Sequence, residues 1–517
     1  MAVTVEEIIK RADAAKGRKQ QWDAELQDCY KYIVPGRDAF GYNTPGDRDN
    51  EDVFDDTAPN ALRQWAGMMQ TAICRPYTMW AKMAPGTDVE EGQHDELRNQ
   101  LAPLNKKIIA AIWHSNFDSQ SLEMFYDLGI STGALLCLDG GSSEDPLHFQ
   151  AVPLNEIFPE PGAKGAIETC FRYFNVAARN IMTQWPEAKL SSDLQQIVDE
   201  NPGEELELIE AVVYEPKTRE QKANYKYSIV FKDKEEEIYT EDMEVSPWII
   251  PRMDVRPGEI LGRGPGWSML PTIKTLNQAM MYTLMNAEMS VSNIYTVMED
   301  GVINVDNIEL SPNSLIPVRS NGGTDGPAIM PLPRAGDFNL NQIVIGDLQQ
   351  AVKDAFLVGQ LGNITDPTKS ATEMTIRNQV RLQELGVQTG RLITEFVNTT
   401  YKRVYHILGK YGEVPTDLKL DGKVVSIAVE GTMAQAQALE GANSYINFLQ
   451  TAAAIQPELA PMLLKSDTVQ KLGDAMGVPD GWLPDSTELE QAVQQAVQQS
   501  QAQAEQAAPP NGVTPQA

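Results

Sequence analysis

Apolar and aromatic residues at Ile8, Ile9, Trp22, Leu26, Tyr30 and Ile33 recur at helical intervals, and Pro35-Gly36 ends that pattern. A polar loop rich in Asp, Gly and Asn follows over 37–56, and a second helix is expected over 58–73, with Leu62, Trp65, Met68, Met69 and Ala72 on one side. Arg75-Pro76 stops it, and a helix pair follows over 94–128. The period then changes. The apolar run 130–138, closed by Asp139-Gly140-Gly141, reads as strand and turn, and further strands are expected at 147–153, 166–175, 206–214, 225–232 and 237–245. A helix over 176–185, ended by Pro186, interrupts them. The middle of the chain is therefore α+β, with antiparallel strands joined by short turns.

From Ser268 the pattern is helical again to about Glu299, with Pro271 near the first turn, where a missing amide costs little. Met269, Ile273, Leu276, Met280, Leu284, Met285 and Met289 are its apolar positions. Methionine at this density gives a soft surface suited to adaptable contacts, and it equally fills an ordinary core. Residues 301–338, rich in Pro, Gly and Asn with a short strand at 314–319, read as a small module protruding between two helices. The second of these runs over 341–359, and the breaker-rich loop 360–369 interrupts it.

Ser370-Ala-Thr-Glu373 has capping-box spacing and opens a helix expected to reach Gly409, with a kink at Gly386 or Gly390. Close to 40 residues at ~1.5 Å each would span ~60 Å, more than a small domain covers. A strand over 423–429 and an Ala-rich helix over 432–464 follow. No Lys or Arg lies beyond Lys471, and the tail is Gln- and Ala-rich before a disordered ProProAsnGly end.

A chain of 517 residues exceeds the size at which single cores stop growing, so more than one domain is expected. With 42% hydrophobic and 22% charged residues, the body should fold and not remain disordered. No stretch approaches the ~20 apolar residues of a membrane helix, and the first ten residues lack a signal peptide's pattern, so a cytosol-like compartment is expected. Cys29, Cys74, Cys137 and Cys170 are far apart and show no metal spacing, which predicts packed, reduced thiols.

A net charge of −30 argues strongly against a surface that grips nucleic acid by neutralising phosphates. Two readings of the acids stand: they line a passage that repels a phosphate backbone, or they keep a large assembly soluble. Chemistry is scarce. His94, His114, His148 and His406 form no HExxH or other ligand set. Gly262-Arg-Gly-Pro-Gly266 lacks the phosphate-loop pattern and reads as a tight turn leading into the Ser268 helix. There is no GxSxG elbow. No catalytic residue, metal site or cofactor is expected, and a structural or interaction role is.

Several motifs, in their order, resemble the podovirus head-to-tail connector (portal) family. Residues 370–386, SerAlaThrGluMetThrIleArgAsnGlnValArgLeuGlnGluLeuGly, look like the family's segment opening a long helix. Asp55 with 65–69 and Trp80, ProTrpIleIleProArg at 247–252, GlyArgGlyPro with Leu270-Pro271 and Leu276-Asn277, and AlaGlnAlaGln at 434–437 also match. The resemblance runs from about Ile8 to Gln491, and the Gln-rich tail and the acidic loop 37–56 have no family counterpart.

The resemblance implies an α+β portal fold assembled as a ring of about twelve at one capsid vertex. Its parts would be a wing at 1–267 completed by 370–430, stem helices at 268–300 and 339–359 and a clip at 301–338. A tunnel loop at 360–369 and a crown at 431–485 would follow, with the tail at 486–517. Met280, Leu284, Met285 and Met289 would form the stem interface. Leu315, Ile316, Pro317, Val318 and Arg319 would give the clip a docking surface for the terminase large subunit and later for tail adaptors. Asn363, Thr365, Asp366, Thr368 and Lys369 would line the channel. Lys369 would touch passing phosphates weakly, or it lies on an outer face. Double-stranded DNA, capsid and scaffolding proteins are the other implied partners, and no membrane is. The expected location is the virion, with the host cytoplasm during assembly. A scaffold or tail-adaptor protein is the alternative within the structural class, and a carboxylate-using hydrolase the alternative outside it.

Overall fold

The computed structural model describes residues 3–37, 51–89, 93–163, 165–215, 224–291, 295–298, 315–318, 329–331, 338–358, 390–416, 418, 420, 423–429, 441–442, 444–451 and 473. The elements begin with α1 (Val5–Ile33), α2 (Thr57–Ile73), β1 (Ala81–Pro85), α3 (His94–His114), α4 (Phe117–Ile130), β2 (Leu135–Asp139), β3 (Leu147–Ala151), β4 (Ile157–Pro161) and β5 (Ile167–Ala177). They continue with α5 (Ile181–Gln184), α6 (Ser192–Glu200), β6 (Glu205–Tyr214), β7 (Tyr225–Phe231), β8 (Glu236–Met243), β9 (Trp248–Ile249) and α7 (Pro265–Val291). Last come β10 (Tyr295–Met298), β11 (Leu315–Val318), β12 (Ile329–Pro331), α8 (Phe338–Ala355), α9 (Asn398–Lys410) and β13 (Val425–Val429). The chain divides into two units, the first comprising Met1–Met68, Gln120–Leu136 and Gln150–Ser370, the second Met69–Ser119, Cys137–Phe149 and Ala371–Ala517.

The first unit is built on a five-stranded antiparallel meander in the order β4-β5-β6-β7-β8. Alternation along these strands sends Phe158, Phe171, Tyr173, Ile209, Ala211, Val213 and Val230 into one core with α1. Thr4 caps α1 by accepting from the Glu7 amide at 3.4 Å, and Glu6 and Glu7 complement the first turn's free amides. Ile8, Ala12 and Ala15 then face the sheet, the two alanines letting the helix approach closely. Arg172 pairs with Glu210 across β5 and β6, and their remaining hydrogen-bonding groups are met by Glu156, 2.8 Å from Arg172 Nε, and by Tyr227, whose hydroxyl donates to Glu210 at 2.8 Å.

Strands 2 and 9 pair through Leu135↔Ile249 and Leu136↔Trp248. Between them and α7 the chain is packed backbone to backbone. The Gly264 amide donates to Ile130 O at 2.8 Å, and a Cβ at Gly264 would lie 2.3 Å from Gly129 O. The expected tight turn at 262–266 is thus a close backbone approach that only glycine permits. A small sheet follows α7, in the order β11-β10-β12, parallel between β10 and β11 and antiparallel between β10 and β12.

In the second unit an aromatic cluster forms the core: Phe117 stacks on Trp80 (5.8 Å between centroids) and Phe396 (6.1 Å) and meets Phe149 edge-on (5.1 Å). A β2–β3 turn closes through Gly140 N to Pro146 O at 3.0 Å, and β1 pairs antiparallel with β13 from Ala81↔Val429 to Pro85↔Val425.

Three expectations need correction. The region 176–185 is not one helix: β5 runs to Ala177, a single 3₁₀ turn follows at Ala178–Asn180, and α5 has four residues. The pairing of β5 with β6 through Ala177↔Glu205 holds those residues extended. The apolar run at 130–138 becomes strand only at Leu135, because α4 continues to Ile130. Helix 7 runs from Pro265 to Val291, so Pro265 occupies the first turn, Pro271 lies inside the helix, and 295–298, expected as the helix's end, form β10 paired with β11 and β12. Of the long helix expected from Ser370, the residues from Gly390 are described: they are helical to Lys410, with a π turn at Ile393–Val397.

Candidate functional site

Helices 7 and 8 pack on one another, and α7 also packs on α1. Their apolar residues divide by position along each helix. Leu270, Ile273 and Leu276 in the first half of α7, and Val352 and Phe356 at the end of α8, are buried. Farther out, Tyr282 (56% exposed), Leu284 (50%), Met285 (48%), Ile343 (62%) and Val344 (47%) stand in solvent. Five large apolar side chains are thus exposed on two adjacent helices, a surface uncommon on a lone soluble chain.

Where the helices are buried, a short extended segment crosses both. Asn277 of α7 accepts from the Phe54 amide at 2.7 Å and donates Nδ2 to Asp52 O at 2.7 Å. Gln349 of α8 donates to Asp55 Oδ2 at 2.6 Å, and Lys31 of α1 lies 2.5 Å from Asp52 Oδ2. Residues 52–55 are thus a strap held by three helices. Beside it lies a cleft of about 320 Å³ lined by Asp55, Asp56, Thr57, Asn60, Gln349 and Lys353, among others. At the far side of the 38–50 stretch, Arg37 pairs with Glu123, lies 3.4 Å from Asp127 Oδ1 and stacks over Tyr126.

Buried titratable groups are structural in placement. Burial raises Asp127 to about 6 against the pull of Arg37 and the Tyr30 hydroxyl, which donates to it at 2.8 Å. Lys19 is lowered by burial to about 7. Its ammonium donates to the carbonyls of Leu154 and Ile157 and sits 4.6 Å over the Phe158 ring. All four cysteines are buried, and burial pushes Cys29 and Cys137 up to about 12, away from reactive thiolates. Among the described residues no three His, Cys, Asp or Glu side chains converge as a metal site would require.

The sequence-nominated residues fall unevenly. Met280 is half-buried on α7, and Leu284 and Met285 belong to the exposed face. Met289 lies in α7, with its side chain outside the described residues. Leu315, Ile316, Pro317 and Val318 form β11, an edge strand of the small sheet, whereas Arg319 falls outside the described residues. Asn363, Thr365, Asp366, Thr368 and Lys369 also lie outside them, as does the 370–386 motif. Tyr282, Ile343 and Val344 were missed. Of these, Ile343 and Val344 carried a signal, since they add apolar residues at the start of a helix whose deeper positions already supply a core face.

Residues 5–483 match the family described as "Bacteriophage head to tail connecting protein". Among solved structures, the chain is similar to one titled "Virion of native gene transfer agent (GTA) particle", at 10% identity and a TM-score of 0.39 over 86% of this chain and 99% of that one. It is also similar to one titled "Neck of empty GTA particle computed with C6 symmetry", at 11% identity and a TM-score of 0.40 over 84% of this chain and 95% of that one. No curated protein matches the chain.

Proposed function

The chain belongs to the bacteriophage head-to-tail connecting protein family, and on that premise we propose that copies of it close into a ring at one capsid vertex through which double-stranded DNA is packaged and ejected. One observation carries the ring: the outer halves of α7 and α8 expose Tyr282, Leu284, Met285, Ile343 and Val344 together. A second copy is the partner that removes this surface from water wherever the chain accumulates. Helices 7 and 8 would then be the stem, with this face as its interface, the β10–β12 sheet the clip, and the 360–369 segment the tunnel loop, with Lys369 brushing phosphates.

The clip would dock the terminase large subunit during packaging and tail adaptors afterwards. A charge of −30 per chain suits a bore that conducts DNA without holding it. It also sets copies against one another, so salt should favour closure, the screening length falling to ~10 Å at 0.1 M.

Native mass measurement and negative-stain imaging of the purified chain test the reading. A closed ring of about a dozen copies with a central hole is expected, its yield rising with ionic strength. Leu284→Glu combined with Ile343→Glu should leave a folded chain that closes at least tenfold less. A wild-type chain that stays solitary at high salt, or a double variant that closes normally, would sink the proposal.

A further inference from the structure

Most edge strands among the described residues are guarded against pairing with another chain. On the meander, β4 carries Pro159 and Pro161 and β8 carries Glu236, Glu237, Glu241 and Asp242. The small sheet has Pro317 in β11 and Pro331 in β12, and β9 is two residues between Pro247 and Pro251. Two further edges are closed by side-chain amides. Asn105 accepts from Met83 N at 2.8 Å and donates to Met83 O at 3.0 Å, capping the outer edge of β1. The Tyr401 hydroxyl holds that amide in place at 2.7 Å. Asn116 does the same for β3, accepting from Phe149 N at 2.9 Å and donating to Phe149 O at 2.7 Å.

Strand 13 has neither device. Its sequence, Val425-Ser-Ile-Ala-Val429, contains no proline and no charge. In an antiparallel ladder, opposed residues alternate between pairs that exchange hydrogen bonds and pairs whose groups point outward. Both peptide groups of Met83 are engaged by Asn105, so the Met83↔Ile427 pair is of the outward kind. The register then turns the amides and carbonyls of Ile427 and Val429 away from β1, while Ser426 and Ala428 bond to it. Among the described residues nothing pairs with that outer edge.

We infer that the outer edge of β13 is an assembly site that receives an extended segment of a second copy of this chain, adding a third strand to the β1–β13 pair. The occupant follows from the guarding. Among the described residues this edge is bare and uncharged while the others are blocked; such an edge would template aggregation unless covered from the time of folding, and another copy is the partner always present then. Pairing of β13 with β13 would close a two-fold pair and end growth, so in a ring the donor is a different extended stretch. A two-stranded sheet is marginal by itself, and the added strand would fix the second unit as the ring closes. The inference rests on the ring reading and adds to it a backbone contact independent of the α7–α8 face.

Ile427→Pro in the full chain tests it, because proline there removes an outward amide and leaves the bonds of Ser426 and Ala428 to β1. Far-ultraviolet circular dichroism and the thermal midpoint should match wild type, while sedimentation velocity should show ring formation reduced at least tenfold. Rings formed normally by this variant would overturn the inference and leave the ring reading standing; wild-type chains that never associate would sink both. Should the variant fail to fold, hydrogen exchange on the wild type decides. The Ile427 and Val429 amides should be at least tenfold better protected in rings than in dissociated chains, and equal protection in the two states refutes the contact.

Discussion

Asn277→Ala should loosen the strap over α7 and α8 by a calculable amount. Asn277 is 8% exposed and makes two hydrogen bonds, both 2.7 Å, to the backbone of residues 52 and 54. Each such bond contributes about 1 kcal/mol net, and a buried partner left bare costs about 1 to 3 kcal/mol. The strap is only partly buried, so water replaces some of the loss, and about 2 kcal/mol is expected for alanine. Asn277→Asp separates the two bonds. It keeps the acceptor for Phe54 N but sets a carboxylate oxygen against the Asp52 carbonyl, so at neutral pH it should be at least as harmful as alanine. Protonation restores a donor toward Asp52 O. The folded state then binds the proton more tightly than the unfolded one, its pKa is raised, and stability returns as pH falls through that value. Urea unfolding at pH 7 and pH 5, with exchange of the Phe54 amide as the local probe, measures both effects. An alanine variant with wild-type midpoint and unchanged Phe54 exchange, or an aspartate variant indifferent to pH, would refute the reasoning.

Two other substitutions probe the packing. Lys19→Met should flatten the rise in stability from pH 7 to 10. Burial lowers the folded pKa to about 7 from 10.5, so the unfolded chain holds the extra proton across that interval, and wild type gains on the order of a few kcal/mol that the variant lacks; parallel urea midpoints at the two pH values would exclude this. Gly264→Ala would put a Cβ 2.3 Å from the Gly129 carbonyl oxygen and 2.8 Å from Ile130 C, both backbone, and should cost about 3 kcal/mol of stability. The control Gly346→Ala meets nothing within 4 Å in α8 and should raise stability by about 0.5 to 1 kcal/mol, so equal thermal midpoints for the two variants would contradict the steric account.

Local chemistry made much of the fold legible. The period of α1, the breakers after it and the alternation of β5 to β8 all act over a few residues, and a single sequence displays them. Strand 1 was invisible because Ala-Lys-Met-Ala-Pro has weak strand preference. Its extension comes from Asn105 on a later helix and from β13, more than three hundred residues on. Lys19 and Asn277 read as polar positions of amphipathic helices; nothing in their neighbours tells that carbonyls 135 and 225 residues away would surround them. The 423–429 strand was legible as a strand, but whether its outer edge is closed depends on where amides from other elements arrive. Met280, Leu284 and Met285 posed the reverse difficulty: their spacing marks them as apolar positions of one helix, but not that Met280 is half-buried while the other two are exposed.

The two kinds of contact at α7 fit a common physical requirement. A clasp relying on a surface ion pair, such as Lys31 with Asp52, is weak in water and responds to salt. Side-chain amides escape that dependence. Asn277 on the strap, Asn105 on β1 and Asn116 on β3 each present one donor and one acceptor to a peptide group or pair of peptide groups, matching backbone geometry without net charge. The buried half of α7 is therefore tied to the strap by neutral, directional bonds, which hold as ionic strength varies. The exposed halves carry apolar side chains whose attraction is non-directional and operates once salt has screened the repulsion between copies. A stem with a rigid inner end and an adaptable outer end follows from that division, because only the outer contacts have to tolerate small differences among neighbours in a closed ring.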